Sequence, residues 1–203
     1  MEYTAAILLS YLIGSSSMSW YLSKIKKVNL RAGGSGNLGA SNAVALMGWK
    51  AGILVGVHDI GKSILAVLLA QMLFPGVEYI GAVAGVSSVL GHIFPFYLKF
   101  KGGKGFASYL GMTIALNWRL ALVILLIVVL VTLITDYIVV GTVTTVLSVP
   151  TYLGITSHSW ILAAILCVAT VVILYKHREN YVRIYNGTEL GFRGVSKGKH
   201  RVK

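Results

Sequence analysis

The chain alternates long apolar runs with short polar segments, and the lengths of these runs predict an all-α membrane protein. A helix needs ~20 predominantly apolar residues to cross ~30 Å of hydrocarbon. Runs of this kind predict membrane-spanning helices over residues 3–23, 51–73, 77–98, 137–156 and 159–175. The first run lacks a basic start and a small-residue cleavage site, so we expect a retained helix and not a signal peptide.

One further apolar stretch, residues 105–135, is too long for a single span and is interrupted only at residues 117–119. Lysine and arginine cluster at 24–50, at 99–104 and after residue 176. The positive-inside rule places such clusters on the cytoplasmic side. If residues 105–135 form two short helices that turn at residues 117–119, all three clusters lie on the cytoplasmic side. Only Arg119 is then left outside. We therefore predict about seven transmembrane helices, with the N-terminus outside and the C-terminus cytoplasmic.

Composition excludes a soluble globular domain. Of the 203 residues, 56% are hydrophobic and 12% are charged, and the mean hydropathy is +0.79. This leaves too little polar surface to cover a soluble globule, so lipid must cover much of the protein. The single cysteine, Cys167, excludes an intrachain disulfide, and the five histidines show no zinc-ligand spacing, so we expect no metal.

The last residues differ from the rest of the chain because basic residues alternate with glycine. We expect one integral-membrane domain over residues 1–192 and a basic, flexible cytoplasmic tail over residues 193–203 that lies against anionic lipid.

Two segments match the signatures of soluble nucleotide-binding proteins. Residues 34–39 fit the Gly-x-Gly-x-x-Gly fingerprint, and residues 56–63 fit the P-loop pattern. Both motifs function only where a strand turns into a helix. Here the first is followed by a membrane span and the second lies inside one, where unpaired backbone groups are costly. We expect neither a nucleotide nor a nucleic acid as a partner.

The P-loop-like segment nevertheless places ionisable residues inside a span. Asp59 and Lys62 are spaced i, i+3 and share one helical face, so they can form an ion pair. Two interpretations stay open, namely a structural salt bridge beneath the cytoplasmic loops and a direct role in binding substrate.

A third glycine cluster, residues 102–105, surrounds Lys104. Glycine lets backbone N–H groups approach an anion, and the ammonium adds a compact positive charge. The pattern predicts a phosphate site at Lys104, whereas Lys99 and Lys101 fit simple anchoring at lipid head groups. His177 and Asn180, also spaced i, i+3, are expected to face the same direction at the end of the last span.

Three motifs occur in an order that resembles the bacterial acyl-phosphate-dependent glycerol-3-phosphate acyltransferase family. They are Gly-Ser-Gly-Asn-Leu-Gly-Ala-Ser-Asn at 34–42, Gly-His-Ile-Phe-Pro with Phe-Lys-Gly-Gly-Lys-Gly between 91 and 105, and His-Arg-Glu-Asn with Asn-Gly-Thr-Glu between 177 and 189. The resemblance covers nearly the whole chain. A His-x4-Asp acyltransferase signature and a Gly-x-Ser-x-Gly elbow are both absent from the sequence.

The resemblance implies an enzyme of the bacterial cell (inner) membrane whose active site faces the cytoplasm. It would transfer a fatty acyl group from acyl phosphate to the sn-1 hydroxyl of glycerol 3-phosphate, among membrane lipids and without a cofactor. The products would be lysophosphatidic acid and phosphate. Since acyl phosphate is already activated, such an enzyme needs positioning and charge stabilisation more than a nucleophile of its own.

The resemblance also implies roles for individual residues. It assigns catalysis to Lys104, His177 and Ser35. It assigns substrate binding to Gly34, Gly36, Asn37, Asn42, Gly102, Gly103, Gly105, Asn180 and Glu189, and the last of these would also brace the cytoplasmic loops. Direct attack by the substrate hydroxyl, with a phosphate accepting the proton, is the mechanism we expect; the alternative is His177 as general base.

Two features depart from the family pattern. Ala45 stands where the family usually has an arginine, and residues 15–19 replace its usual Ser-Ile-Pro-Phe-Gly-like stretch. These differences leave open an impaired enzyme or partner, a divergent member with another acceptor, or compensation by Arg31 or Arg178. A transporter or binder of phosphorylated metabolites is a separate alternative, because it would also need cationic glycine loops and buried charge.

Overall fold

The structure, a computed structural model, describes residues 1–196, and the regular elements in that part of the chain are all helical. The α-helices are α1 (Glu2–Ser15), α2 (Met18–Ile25), α3 (Ala40–Met47), α4 (Trp49–Leu73), α5 (Ile80–Ile93), α6 (Phe106–Leu116), α7 (Trp118–Thr135), α8 (Ile138–Thr156), α9 (Trp160–Lys176), α10 (Arg178–Tyr185) and α11 (Phe192–Ser196). A 3₁₀ turn, Phe96–Leu98, follows α5. The predicted all-α fold class is confirmed.

Several helices are long and apolar enough to cross a bilayer. Within the described residues there are five such segments: Glu2–Ile25, Trp49–Leu73, Ile80–Leu98, Trp118–Thr135 and Ile138–Thr156. A sixth is the pair α9 and α10, which is bent by 44°. Helix α6 has 11 residues, so it rises about 16 Å, roughly half of the hydrocarbon thickness. The count of seven and the external N-terminus stay predictions.

The interruption predicted between residues 105 and 135 is present at Asn117. Its backbone is extended, with φ −156° and ψ 93°, and it separates α6 from α7. Its side-chain Oδ1 accepts the N–H of Leu120 at 2.9 Å, which caps the first turn of α7. A local capping residue therefore ends one apolar helix and begins the next.

Small residues bring the helices close together. A Cβ atom at Gly14 would lie 2.0 Å from the carbonyl oxygen of Ser88, and one at Gly111 would lie 2.2 Å from that of Ile60. These contacts press α1 against α5 and α4 against α6, as small residues do in membrane bundles. The outward face is apolar: Leu122 and Leu126 on α7 are both 59% exposed. The protein is an integral membrane protein whose outer surface faces lipid.

The first turn of α11 is attached to the turn between α7 and α8. The N–H of Phe192 donates to the carbonyl of Asp136, and the N–H of Arg193 donates to Asp136 Oδ1, both at 2.8 Å. The tail predicted to be flexible from residue 193 therefore starts within a helix. Residues 197–203, the rest of that prediction, lie outside the described residues.

Candidate active site

One large cavity lies where the connecting segments of the bundle meet. Its volume is about 650 Å³, which is within the range of small-molecule sites. Its walls come from the loop before α3, α3 itself, the N-terminal parts of α4, α6 and α8, the last turn of α5, the junction of α9 and α10, and the segment 188–192. Sequence-distant segments therefore share one site.

Most of the predicted site residues line this cavity. They are Gly34, Ser35, Asn37, Asn42, Lys104, Gly105, His177, Asn180 and Glu189. Gly36, Gly102 and Gly103 do not line it. The N–H of Gly102 donates to the carbonyl of Ile93 at 2.9 Å, and that of Gly103 to the carbonyl of His92 at 3.2 Å. The N–H groups of these two glycines therefore bind the carbonyls of the last two residues of α5. Contact of Gly102 and Gly103 with substrate stays a prediction.

Asn42 organises the loop that carries Ser35. Its side chain is buried, and its Oδ1 accepts the N–H of Ser35 at 2.9 Å. Its Nδ2 donates to the carbonyls of Leu30 and Asn37, each at 2.9 Å. Gly34 has φ +57°, and a Cβ there would lie 2.1 Å from Asn42 Oδ1. Because its polar atoms are used by the loop, Asn42 holds Ser35 at the cavity wall.

Lys104 belongs to a chain of polar contacts that crosses the cavity. Its Nζ donates to Asn180 Oδ1. The Nδ2 of Asn180 donates to Glu189 Oε1 at 2.6 Å, and Glu189 Oε2 accepts the Nε–H of Arg183 at 2.5 Å. Since a cation contacts one end of the amide and a carboxylate the other, the orientation of Asn180 is fixed.

The charges around Lys104 set its protonation. Its pKa is lowered from 10.5 to about 8, chiefly because burial disfavours the charged ammonium. The positive charge of Arg183 also lowers this pKa, whereas the carboxylates of Glu189 and Glu179 raise it. At neutral pH the ammonium form still predominates, so Lys104 presents a positive charge to the cavity.

His177 lies at the C-terminal end of α9 with its ring buried. Its Nδ1 is 2.8 Å from the carbonyl oxygen of Ile173. A carbonyl can only accept, so Nδ1 carries the hydrogen, and in the neutral ring Nε2 is left as an acceptor. As its spacing from Asn180 predicted, both side chains line the same cavity.

Arg183 supplies the cavity with a guanidinium that no sequence motif had indicated. It lines the cavity, whereas Arg31 donates to the carbonyl of Lys101 at 2.6 Å and Arg178 to that of Tyr175 at 3.1 Å. Neither Arg31 nor Arg178 lines the cavity, so their placement does not support compensation by either, which was one of the alternatives left open. Ala45 does line it. The i, i+3 spacing of Arg183 from Asn180 was the available signal.

The P-loop-like residues lie within the continuous helix α4, so they form no phosphate loop. Lys62 Nζ donates to Asp59 Oδ1 at 2.8 Å, which confirms the predicted ion pair. Asp59 and His92 also line the cavity. Among the described residues no group of three or more His, Cys, Asp and Glu side chains is placed to hold a metal ion.

The apolar part of the cavity comes from segments without a recognisable motif. Trp49, Ile53, Ile138 and Val139 contribute to it. Ile53 is also 60% exposed. The cavity thus joins a polar wall to an apolar wall.

Comparisons with known proteins agree with this arrangement. A family model described as glycerol-3-phosphate acyltransferase matches residues 4–187. The chain is 38% identical over 199 residues to glycerol-3-phosphate acyltransferase 1 of Oceanobacillus iheyensis, covering 93% of this chain and 94% of that protein. It is 36% identical over 191 residues to a glycerol-3-phosphate acyltransferase of Coxiella burnetii, covering 93% and 97%.

Solved structures share the fold. The glycerol 3-phosphate form of PlsY (YgiH), an integral membrane glycerol 3-phosphate acyltransferase, superimposes with a TM-score of 0.90 at 31% identity, over 97% of this chain and 98% of that chain. The lysophosphatidic acid form of PlsY gives a TM-score of 0.85 at 31% identity, over 95% and 96%. The similarity extends over the whole bundle.

Proposed function

Because this chain belongs to the glycerol-3-phosphate acyltransferase family, we propose that it transfers a fatty acyl group from acyl phosphate to the sn-1 hydroxyl of glycerol 3-phosphate. The observation that carries this proposal is the cavity itself, in which the Lys104 ammonium and an apolar wall occur together. An acyl donor with a phosphate head needs both. Lysophosphatidic acid and inorganic phosphate are the products.

The polar wall binds the phosphate groups. Lys104 neutralises phosphate charge, and the loop of Gly34, Ser35, Gly36 and Asn37 holds a phosphate-bearing substrate. His177 and Asn180 orient glycerol 3-phosphate. The contact of Glu189 with Asn180 at 2.6 Å supports its role as a brace.

The apolar wall receives the acyl chain. Ile53 on α4 and Ile138 on α8 both line the cavity and are both exposed. A chain that enters between these two helices reaches the polar wall without leaving an apolar environment, so the hydrocarbon stays out of water.

The chemistry requires little more than positioning. The hydroxyl oxygen of glycerol 3-phosphate bonds to the acyl carbonyl carbon, the bond from that carbon to the phosphate oxygen breaks, and the departing phosphate takes the hydroxyl proton. Lys104 stabilises the charge on that phosphate. His177 is the alternative proton acceptor, and the acceptor position of its Nε2 supports this second route.

The cavity opens towards the cytoplasm of a bacterial cell, in the inner membrane. The segments that line it also carry exposed Lys26, Lys27, Lys99 and Lys101. Basic loops remain on the cytoplasmic side, so this orientation supports an external N-terminus and seven spans. It also gives the enzyme access to cytoplasmic glycerol 3-phosphate.

Product formation tests the proposal. Purified protein in lipid is incubated with acyl phosphate and radiolabelled glycerol 3-phosphate, and lysophosphatidic acid is measured for the wild type, Lys104→Ala and Lys101→Ala. Lys101 is a matched control because it is an exposed lysine three residues away that does not line the cavity. We expect loss of product with Lys104→Ala only. No product from folded wild type would refute the reaction, and equal product from Lys104→Ala would refute the site.

A second candidate, an impaired or divergent member with another acceptor, is favoured by one observation. Ala45 lines the cavity where the family usually has an arginine, and a bidentate guanidinium contact is not easily replaced. A series of polyol phosphates offered as acceptors separates this candidate from the first, since only a divergent enzyme prefers an acceptor other than glycerol 3-phosphate.

A further inference from the structure

A buried polar cluster lies beneath the cavity and is centred on Lys62. The Lys62 ammonium donates to the carbonyl of Ser16 at 2.7 Å, to Asp59 Oδ1 at 2.8 Å and to His92 Nδ1 at 2.9 Å. Ser16 lies in the break between α1 and α2, so its carbonyl is free to accept. An ammonium has three hydrogens. All three are used, and the position of Lys62 is therefore fixed.

This contact decides which nitrogen of His92 carries the hydrogen. Because Lys62 can only donate, Nδ1 of His92 must accept, and in the neutral ring the hydrogen lies on Nε2. Asp59 Oδ1 also lies near Nδ1, but at 3.3 Å, farther than Lys62 Nζ. The cluster thus holds the ring with an N–H group on its far edge.

The Nε2 edge of His92 faces the glycine loop of Lys104. A Cβ atom at Gly103 would lie 2.1 Å from Nε2, so glycine at this position is what lets the loop approach the ring this closely. His92 lines the cavity, and its Nε2 has no hydrogen-bond partner within residues 1–196. Lys104 directly follows Gly103. Of the titratable residues in the loop 99–105, only Lys104 lines the cavity. A donor is therefore available beside the proposed phosphate-binding lysine.

We propose that His92 is a further substrate-contacting residue, which donates its Nε2 hydrogen to a phosphate oxygen in the cavity, and that Lys62 is a positioning residue that fixes this tautomer. The inference rests on the proposed acyl transfer. Phosphate oxygens are acceptors, and a donor held in place before the reaction stabilises the charge that develops on a departing phosphate. This role also gives the charged cluster inside the membrane a purpose beyond packing.

Two substitutions of His92 separate donation to substrate from simple bracing. Glutamine places an amide nitrogen where Nε2 is, counting bonds from Cβ, but has no polar atom at the position of Nδ1. Asparagine keeps an acceptor for Lys62 at the position of Nδ1 but has no donor at Nε2. The two variants therefore each retain one half of the imidazole chemistry.

We expect His92→Gln to stay within about 10-fold of wild-type kcat/KM and His92→Asn to lose on the order of 100-fold, as for loss of one preorganised donor. A purely structural role predicts the reverse order. The reverse order, or equal loss in both variants, would overturn the proposal. KM is measured for acyl phosphate and for glycerol 3-phosphate by varying the concentration of each substrate in turn. The substrate whose KM changes more in His92→Asn is the one whose phosphate His92 contacts.

A spectroscopic measurement on the wild type keeps the test independent of activity. Wild-type protein with ¹⁵N-labelled histidine in lipid should show His92 with its hydrogen on Nε2, identified by the signal missing from His92→Asn. Glycerol 3-phosphate and acyl phosphate are then added in separate samples, and the substrate whose phosphate is contacted should shift that Nε2 resonance. A hydrogen on Nδ1, or no shift at saturation with either substrate, would rule out the donor role even if the protein catalyses acyl transfer. Absence of acyl transfer by the wild type would instead count against the proposed reaction.

Discussion

Lys104 donates a hydrogen bond to Asn180, a residue 76 positions later in the chain. The amide of Asn180 is held from its other end by Glu189, which in turn accepts from Arg183. The position and the protonation of Lys104 therefore depend on helix α10 and on the segment that follows it.

The activity should fall as pH rises through the pKa of Lys104. That pKa is lowered to about 8, and the ammonium form, present below it, is the form that binds phosphate. We expect kcat/KM to decline above about pH 8 in the wild type. In Lys104→Arg this alkaline decline should disappear, because a guanidinium stays charged. A pH profile from 6 to 10, with both proteins intact at each pH, checks this, and an unchanged decline in the arginine variant would contradict it.

Removal of the Glu189 charge should move this decline to lower pH. Glu189 raises the pKa of Lys104 and pairs with Arg183, so Glu189→Gln removes a stabilising negative charge and leaves a positive one unbalanced. Glu179→Gln is the control: its side chain is 64% exposed and its charge is screened by water. We expect a clear shift of the alkaline limb for Glu189→Gln and a smaller one for Glu179→Gln. Equal shifts would argue against a specific role for Glu189.

A guanidinium introduced at position 45 should strengthen binding of the phosphate substrate. Ala45 lines the cavity, so an arginine there can reach a bound phosphate. One charged hydrogen bond contributes about 1.5–3 kcal/mol, so we expect Ala45→Arg to lower KM for glycerol 3-phosphate by about 10-fold or more. Ala45→Gln tests side-chain size without charge. Equal KM values for the two variants would show that the charge has no effect there.

The attachment of residues 190–193 should depend on Asp136. Asp136 has φ +68°, and its Oδ1 accepts the N–H of Arg193. Asp136→Gly keeps this backbone conformation without strain but removes the acceptor, whereas Asp136→Asn retains an acceptor and tolerates the conformation. We expect the glycine variant to lower the local free energy of opening by about 1 kcal/mol. Hydrogen exchange of residues 190–193 measures this, and similar protection in both variants would contradict it.

The sequence determined the features that depend on local spacing. The lengths of the apolar runs predicted the membrane helices, and the polar interruption predicted the separation of α6 from α7 at Asn117. The i, i+3 spacing of Asp59 and Lys62 predicted their ion pair. The same spacing placed His177 and Asn180 on one wall. These relationships follow from the rise and turn of a helix, which neighbouring residues fix among themselves.

Which of the glycines and cations reach the cavity depends on how the helices pack. Gly102 and Gly103 belong to a sequence typical of a phosphate loop, yet their N–H groups donate to the last carbonyls of α5. Gly105, from the same cluster, lines the cavity. Arg183 enters the cavity and Arg31 does not. His92 gains its donor position from Lys62, 30 residues earlier in the chain. Such contacts depend on how whole helices pack, and the spacing of residues along one helix carries no information about the neighbour that it will meet.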